Sequence, residues 1–267
     1  MSQTSSGYAA AEPVGPRAIH TDSTGLIAGL VEFPAADRSL PVYAAQPDAS
    51  EGSYPIVLVM MEIFGLHEYI KDICRRFAKR GYLAIAPDIF ARAGDPTKMT
   101  DMSEIRTKVI QRTPDAQVIS DLDAAVAWAI SERHGNPNQL GITGFCWGGR
   151  TVWLYSAHNP SLKAGVAWYG RLDGDHSENQ PVWPVDVAAR LHGPVLGLYG
   201  GNDQGIPLDT VDRMNGLLRD AGSPSHIDVY PDSGHAFHAD YRDHYNEADA
   251  HDGEARMYAW FKEHGVG

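Results

Sequence analysis

Two patterns of hydrophobic and polar positions alternate along the chain. Continuous apolar runs at residues 55–61, 82–86 and 194–200 predict strands that are buried on both faces of a sheet. Between such runs, apolar residues recur every three or four positions, as they do over residues 66–77. That spacing places them on one face of a helix, and Gly81 lies just past its end. The pattern therefore predicts strands that alternate with amphipathic helices.

The alternation continues over nearly the whole sequence. Predicted strands occupy residues 26–33, 40–45, 55–61, 82–86, 139–144, 164–169, 194–200 and 227–230. Predicted helices cover residues 66–77, 102–111, 118–129, 146–158, 208–221 and 247–264. The connections at residues 88–100 and 171–191 are predicted to be loops. This order indicates one α/β domain with a mostly parallel sheet covered on both faces, and its chemistry outside the carboxyl ends of the strands.

The first seventeen residues differ in composition from the rest of the chain. Residues 1–17 are rich in Ser, Gly, Ala and Pro, and we expect a flexible N-terminal arm before one domain at residues 18–267. The arm has neither a basic n-region nor an apolar h-region, so it does not resemble a signal peptide. We expect a cytoplasmic location, with a periplasmic or exported one as the alternative if a leader has been removed.

Composition and charge exclude several classes of partner. Hydrophobic residues make up 43% of the 267 positions and charged residues 21%, which is typical of a globular protein. The formal net charge is −12, whereas nucleic acids and anionic membranes require clustered Lys and Arg. No apolar run is long enough to span a membrane, and two distant cysteines, Cys74 and Cys146, indicate neither a disulfide framework nor a zinc site. We therefore expect no nucleic-acid partner, no membrane partner, no metal and no cofactor.

The strongest local motif is Gly-Phe-Cys-Trp-Gly at residues 144–148, between a predicted strand and a predicted helix. This spacing is typical of a nucleophile elbow, in which a sharp turn lifts the nucleophile above the sheet. Cys146 would begin the helix, whose partly positive end favours a thiolate, and the Trp147 N–H would face a developing oxyanion. The alternative is a small, buried and inert cysteine, which is our interpretation of Cys74 on the apolar stripe of another helix.

An acid and a base follow the elbow in the order that such a triad requires. Asp203 lies on a Gly-rich turn after the strand at residues 194–200, and His235 follows the strand that ends at Tyr230. His235 would keep Cys146 deprotonated and carry protons, while Asp203 would fix the imidazole tautomer. Taken singly, these residues could be an ordinary turn aspartate and a surface histidine.

Three other histidines compete with this assignment. His238, His244 and His251 lie near Asp240 and Asp243, which raises the alternative of a metal site. The segment has no metal-ligand spacing of the His-Glu-x-x-His or Cys-x-x-Cys type, so we predict no metal there.

Together these motifs resemble the dienelactone hydrolase family (carboxymethylenebutenolidases). The resemblance extends from about Thr24 to Gly265, and its most specific parts are Glu-Ile-Phe-Gly at residues 62–65 and the elbow around Cys146. Further similar stretches lie at residues 87–92, 121–123 and 234–237. The resemblance implies a single-domain α/β-hydrolase fold and hydrolysis of an ester or lactone by a cysteine nucleophile.

The resemblance also implies a role for Glu62. In the family, the matching glutamate sits beside the nucleophile and takes part in activating the thiol when substrate arrives. The N–H of Ile63 would then complete the oxyanion hole with that of Trp147. The residues themselves make Glu62 unusual, because a carboxylate directly follows a buried apolar run; the alternative is a solvated residue at the start of a loop.

The resemblance is weaker where substrate would bind. Relatives that hydrolyse dienelactone hold the substrate carboxylate with two arginines. One of these arginines lies four residues after the catalytic histidine, where this chain has Ala239. The residue directly after the histidine, often serine in those relatives, is Ala236 here. The second arginine corresponds to Arg106, with Arg112 as the next candidate. We therefore expect a less cationic, more apolar pocket that prefers neutral esters. Its expected lining residues are Phe64, Trp147, Tyr169 and Phe237.

The expected function is hydrolysis of a small-molecule carboxylic ester or lactone through a Cys–His–Asp triad and an acyl-enzyme thioester, by a monomer or weak homodimer. One alternative is a broader thiol esterase that acts on aryl, thio- or phosphate esters. Another is a non-catalytic receptor with the same fold, which a complete triad disfavours. A thiol redox protein is the last alternative, and it would need a resolving cysteine near Cys146.

Overall fold

Eight strands form one central sheet in the part of the chain that the computed structural model describes, residues 7–49 and 52–267. They are β1 (Leu26–Pro34), β2 (Ser39–Pro47), β3 (Tyr54–Met60), β4 (Leu83–Pro87), β5 (Gly135–Phe145), β6 (Leu162–Trp168), β7 (Val195–Gly200) and β8 (His226–Tyr230). Side chains of β3, β4 and β7 are buried almost without exception, because helices cover both faces of the sheet.

The strand order is β1-β2-β4-β3-β5-β6-β7-β8. β2 pairs antiparallel with both β1 and β4. The last six strands in this order, β4, β3, β5, β6, β7 and β8, run parallel to one another. The carboxyl ends of β3, β5, β7 and β8 therefore meet at one edge of the sheet. This topology confirms the predicted single-domain α/β fold with a mostly parallel sheet.

Seven α-helices lie within the described residues. They are α1 (Glu68–Lys79), α2 (Met102–Lys108), α3 (Asp115–Glu132), α4 (Trp147–His158), α5 (Pro184–Val187), α6 (Leu208–Asp220) and α7 (Glu247–Glu263). Side chains on β5 show how two of them cover opposite faces, because successive residues of a strand point in opposite directions. The Thr143 hydroxyl contacts Met257 of α7, whereas Gly144 lies against Gly148 of α4.

The structure departs from the predicted boundaries mainly in the connections. Strand β5 begins at Gly135, four residues before the predicted start, because residues 135 and 136 already pair with β3 ahead of a register shift. The connection at residues 171–191 contains α5 and a 3-10 turn, and the predicted helix at 102–111 divides into α2 and a 3-10 turn at Ile110–Arg112. These short elements lack the long periodic pattern on which the sequence-based assignment relies.

The described part of the N-terminal segment lies against the domain. Tyr8 is buried and packs on Tyr241, the Glu68 N–H donates to the Gly7 carbonyl at 2.7 Å, and the Gly15 N–H donates to the Tyr241 carbonyl at 2.6 Å. Flexibility of residues 1–17 stays a prediction, and residues 1–6 lie outside the described part of the chain.

A buried charge cluster joins α1 to the segment between β8 and α7. Arg76 donates to the Asp72 carboxylate at 2.7 Å, contacts Asp240, and lies 3.3 Å from Glu254. Asp72 and Asp240 are almost fully buried; Asp240 depends on Arg76 for its counter-charge, whereas Asp72 also pairs with Arg75 at 3.0 Å. The cluster thereby attaches the chain just beyond His235 to the body of the domain.

Removal of Arg76 should destabilise the protein strongly. We expect Arg76→Ala to lower the free energy of unfolding by about 3–5 kcal/mol, because the buried Asp240 carboxylate loses its ion-pair partner and Asp72 keeps only Arg75. The matched control is Arg256→Ala, since Arg256 pairs with Asp252 and Asp228 but is half exposed; the expected loss there is about 1 kcal/mol or less. Urea denaturation of both variants measures the difference, and equal losses would contradict the role given to the cluster.

Candidate active site

Cys146 occupies a strained turn between β5 and α4. Its φ of 53° and ψ of −114° lie outside the regions that residues with a side chain normally adopt. The Cys146 N–H donates to the Trp168 carbonyl of β6 at 3.0 Å, which ties the turn to the neighbouring strand. The thiol is half-buried and lies at the N-terminus of α4. The position combines access to substrate with the partly positive helix end that favours a thiolate.

Glycines on both sides of the nucleophile allow α4 to approach the sheet closely. A Cβ on Gly144 would collide with the Gly148 backbone, and a Cβ on Gly148 would collide with the Met60 carbonyl at the end of β3. Any side chain at either position would push α4 away from β3 and β5. The glycines are therefore a steric requirement of the turn.

His235 and Asp203 meet beside the nucleophile. His235 Nδ1 lies 2.7 Å from Asp203 Oδ2, and the other carboxylate oxygen of Asp203 accepts the Gly205 N–H at 2.8 Å. Burial lowers the pKa of His235, but the negative charge of Cys146 and the hydrogen bonds to Asp203 and Cys146 outweigh it and raise that pKa to about 10. The arrangement favours a protonated imidazole beside the Cys146 sulfur.

Glu62 lies behind the nucleophile in a fully buried position. Its Oε2 accepts the Tyr241 hydroxyl at 2.8 Å and lies 3.4 Å from His67 Nε2. Burial raises the pKa of Glu62, but the hydrogen bond and positive charge of His67, aided by Arg242 and Tyr241, lower it below its usual value. The side chain is thus an ionised carboxylate in a water-poor environment and not a solvated loop residue.

A cavity of about 590 Å³ opens in front of the nucleophile. Of the predicted site residues, Cys146, Asp203, His235, Ile63, Trp147 and Arg106 line it. The Ile63 N–H has no hydrogen-bond acceptor among residues 7–49 and 52–267, and Trp147 is the first residue of α4, so its N–H has none within the helix. Both N–H groups are therefore free to face a substrate oxygen.

Three predicted lining residues lie elsewhere. Phe64, Tyr169 and Phe237 are almost fully buried and are absent from the cavity wall. The Tyr169 ring packs edge-on against His235 at 5.2 Å between ring centres, and Phe237 packs on Tyr169 at 5.5 Å. Tyr169 thus supports the His235 imidazole and Phe237 supports Tyr169, whereas Phe64 packs against His67 at 6.3 Å between ring centres.

The expectation of a pocket poor in cations is wrong. Arg106, Arg150 and Arg171 all line the cavity. Arg150 is neutralised by two hydrogen bonds of 2.7 Å to the Asp115 carboxylate, whereas Arg106 and Arg171 are exposed and form no ion pair among the described residues. Among residues 7–49 and 52–267, Asp203 is the only one that brings a carboxylate to the cavity wall, and His235 already engages it. The cavity therefore carries unneutralised positive charge.

Sequence reasoning missed Arg171, Trp183, His67 and Tyr241. Arg171 and Trp183 belong to a connection that was predicted only as a loop, and Trp183 lies under the guanidinium groups of Arg150 and Arg171. His67 and Tyr241 are far apart in sequence and meet only through the fold. A signal existed for His67 alone, since it lies two residues after the Glu-Ile-Phe-Gly motif.

The competing histidines occupy different environments. His238 is buried between the Tyr69 hydroxyl, 2.6 Å from Nδ1, and Glu254, 3.0 Å from Nε2. His244 is exposed and lines the cavity, while His251 is exposed on α7. Within the described ranges, no three His, Cys, Asp or Glu side chains are placed to hold a metal ion.

None of the described helices is both long enough and apolar enough to cross a membrane.

Comparisons with known proteins agree with this architecture. A family model described as the dienelactone hydrolase family matches residues 40–265. Two curated relatives are named "Putative carboxymethylenebutenolidase". The one from Methylorubrum extorquens is 55% identical over 97% of this chain and 90% of its own length, and the one from Salmonella typhimurium is 52% identical over 97% and 96%.

A solved structure also matches closely. A crystal structure from Klebsiella pneumoniae, described as a "Putative Dienelactone Hydrolase", is 51% identical and superimposes with a TM-score of 0.87. The match covers 89% of this chain and 99% of that one.

Cys146 should be the reactive thiol of the folded protein. Cys74 is fully buried, and burial raises the pKa of its thiol, so it should resist alkylation. We expect iodoacetamide to label the native protein once, at Cys146, as determined by mass spectrometry of the intact chain and its peptides. Cys74→Ala should label like the wild type and Cys146→Ala should not label; equal labelling of Cys74 in the native protein would contradict the assignment.

Proposed function

The chain belongs to the dienelactone hydrolase family and is a lactone or ester hydrolase, and we propose that it works through Cys146, His235 and Asp203 with an acyl-enzyme thioester. The observation that carries this proposal is the position of His235, which lies 2.7 Å from Asp203 and lines the same cavity as Cys146, whose charge raises the pKa of the imidazole. A nucleophile, a base and an orienting carboxylate are thereby connected in series.

Acylation starts from the thiolate–imidazolium pair. Cys146 Sγ attacks the carbonyl carbon, and the carbonyl oxygen becomes an oxyanion that the N–H groups of Ile63 and Trp147 stabilise. The C–O bond to the leaving alcohol then breaks as His235 transfers its proton to that oxygen. The products of this half-reaction are the thioester on Cys146, the alcohol and a neutral His235. For a lactone, the alcohol remains attached to the acyl group.

Deacylation reverses the proton transfers. Neutral His235 takes a proton from water as the water oxygen attacks the thioester carbonyl, and the same two N–H groups stabilise the second oxyanion. The C–S bond breaks, and Cys146 leaves as a thiolate beside the imidazolium. The net reaction adds one water across the ester bond and restores the resting pair.

Glu62 takes part in activating the thiol. The residue directly precedes the oxyanion-hole residue Ile63 and adjoins the space that holds the nucleophile. Burial raises the pKa of the Tyr169 hydroxyl well above its usual value, and the charges of Glu62 and Cys146 both add to that effect. Both groups thus act on the same buried hydroxyl group, which supports a position of Glu62 close to Cys146.

The charge of the cavity favours an anionic substrate. Arg106 and Arg171 provide two guanidinium groups without a protein counter-charge among the described residues. Ala239, which stands where relatives carry an arginine, is fully buried, and Arg242 is paired with Glu12 at 2.9 Å outside the cavity wall. A substrate carboxylate would thus meet Arg106 and Arg171 and no arginine of the segment after His235.

The size of the cavity supports a second candidate function. A volume of about 590 Å³ lies within the range of pockets that bind drug-sized ligands. Trp147, Trp183 and Ile206 give part of its wall an apolar character. A broader esterase that acts on aryl esters fits this space, and the substrate panel below separates the two candidates.

The triad predicts a defined response to mutation and pH. We expect His235→Ala to lower kcat by about 10²–10⁴-fold, because the reaction loses its proton carrier. The wild-type rate should fall above about pH 10, where His235 loses its proton. Asp203→Asn removes a hydrogen bond that raises the pKa of His235, so this alkaline limb of kcat/KM should move to lower pH. His251→Ala is the control, and its activity should match the wild type.

Arg106 and Arg171 predict that the enzyme prefers a negatively charged substrate. We expect Arg106→Gln and Arg171→Gln each to lower kcat/KM for a carboxylate-bearing lactone by roughly tenfold, equivalent to about 1.4 kcal/mol, and to leave a neutral p-nitrophenyl ester nearly unchanged. Arg190→Gln, which alters an exposed arginine outside the cavity wall, is the matched control. If the neutral ester is the better substrate and both variants leave the lactone rate unchanged, the cavity does not select by charge.

A further inference from the structure

Glu62 and His67 form a fully buried pair behind the nucleophile. His67 Nε2 lies 3.4 Å from Glu62 Oε2, and both side chains are 0% exposed. Among the described residues, neither nitrogen of His67 has a hydrogen bond of good geometry, and Glu62 Oε1 has no partner. A buried carboxylate with one unsatisfied oxygen is costly unless a positive charge compensates it. His67 is the nearest group that can supply this charge.

The other groups around the pair are mostly neutral. The His67 ring packs against Tyr241 at 5.2 Å, stacks on Tyr69 at 6.0 Å, and meets Phe64 at 6.3 Å between ring centres. Tyr169 and Arg242 influence Glu62 from farther away, and Arg242 is already bonded to Glu12. The aromatic surroundings exclude water, so they strengthen the interaction between Glu62 and His67.

The pair also closes the turn that carries the oxyanion-hole residue. The chain reverses at Gly65, which has a φ of 81°, with the Gly65 N–H bonded to the Glu62 carbonyl at 3.3 Å. The His67 N–H donates to the Gly65 carbonyl at 2.9 Å. The two ends of this turn are therefore joined by the side chains of Glu62 and His67, and Ile63 lies between them.

The interaction decides the charge of Glu62. Burial alone raises the pKa of this carboxyl group, and the neighbouring His67 is the first among the influences that lower it. Without His67, burial would prevail, and Glu62 would bind a proton at a higher pH. A protonated Glu62 could not take up the proton of a Cys146 thiol that has not yet ionised.

We propose that His67 is a positioning residue that holds Glu62 as a carboxylate beside Cys146 and so sets the lowest pH at which Glu62 can act. The inference rests on the proposed role of Glu62 in activating the thiol. It assigns His67 no contact with substrate. The effect of His67 on the reaction passes through Glu62 alone.

A double-mutant cycle tests this dependence. We expect His67→Gln, which keeps hydrogen-bonding capacity but not the charge, to lower kcat about tenfold or more and to leave KM nearly unchanged. The acidic limb of kcat should move to higher pH by about one unit or more. In a Glu62→Gln background, His67→Gln should cause no further loss and no shift of the limb. Equal losses in both backgrounds would overturn the proposal, since His67 would then act independently of Glu62.

Two further measurements keep the test decisive if a variant folds poorly. Thermal denaturation shows whether His67→Gln retains its native structure. Tyr241→Phe removes the other hydrogen bond to Glu62 but keeps His67, so we expect a smaller shift of the acidic limb. In the wild-type protein, pH-difference infrared spectra against Glu62→Gln should show no protonated Glu62 at about pH 6. A protonated carboxyl band at that pH would overturn the proposal without any His67 variant.

The cycle also separates this inference from the proposed function. Full activity in Glu62→Gln would remove the role of Glu62, and the His67 proposal with it, but would leave the triad of Cys146, His235 and Asp203 intact. Full activity in Cys146→Ala would instead remove the triad. A loss of activity in Glu62→Gln with no effect of His67→Gln would overturn the His67 proposal only.

Discussion

The backbone at Cys146 is the constraint on which the site depends. A residue with a side chain is held at a φ of 53° because β5 ends and α4 begins there without a loop between them. Such a conformation costs about 1–3 kcal/mol and persists only where the surroundings enforce it. The bond from the Cys146 N–H to the Trp168 carbonyl and the contact of Gly148 with the end of β3 supply that enforcement. The same contacts place the N-terminus of α4, the Cys146 thiol and the Trp147 N–H at the same side of the cavity.

The sheet was predictable because its strands are buried on both faces. Runs such as residues 55–61 and 194–200 have no polar position that could face water, so any other assignment would expose apolar surface. The start of β5 was not predictable from the same criterion. Residues 135–138 are polar and join the sheet only through pairing with the first residues of β3, which the sequence pattern of either segment does not reveal.

The triad was predictable for a related reason, because each member follows a recognisable strand. Cys146, Asp203 and His235 are attached to the carboxyl ends of β5, β7 and β8, and parallel strands bring those ends together. Arg171 and Trp183 come from a long connection whose path no periodicity determines. Arg150 fixes that path, since its guanidinium binds both the Asp115 carboxylate and the Val182 carbonyl. The substrate side of the site thus depends on a buried ion pair that has no signature in the sequence.

Charge is distributed unevenly in this protein, because an acidic chain has a cavity that contains arginines unpaired within the described part of the chain. The chain carries a formal net charge of −12, yet its cavity presents two guanidinium groups without a described carboxylate partner. At physiological ionic strength, surface charges are screened beyond about 8 Å, so the acidic exterior repels an approaching anion only weakly. Inside the cavity, solvent is reduced and the guanidinium groups act at contact distance, where a charge-assisted hydrogen bond is strongest. A substrate inside the cavity would therefore meet the two local arginines more strongly than the net charge of the chain, from which a sequence-based argument starts.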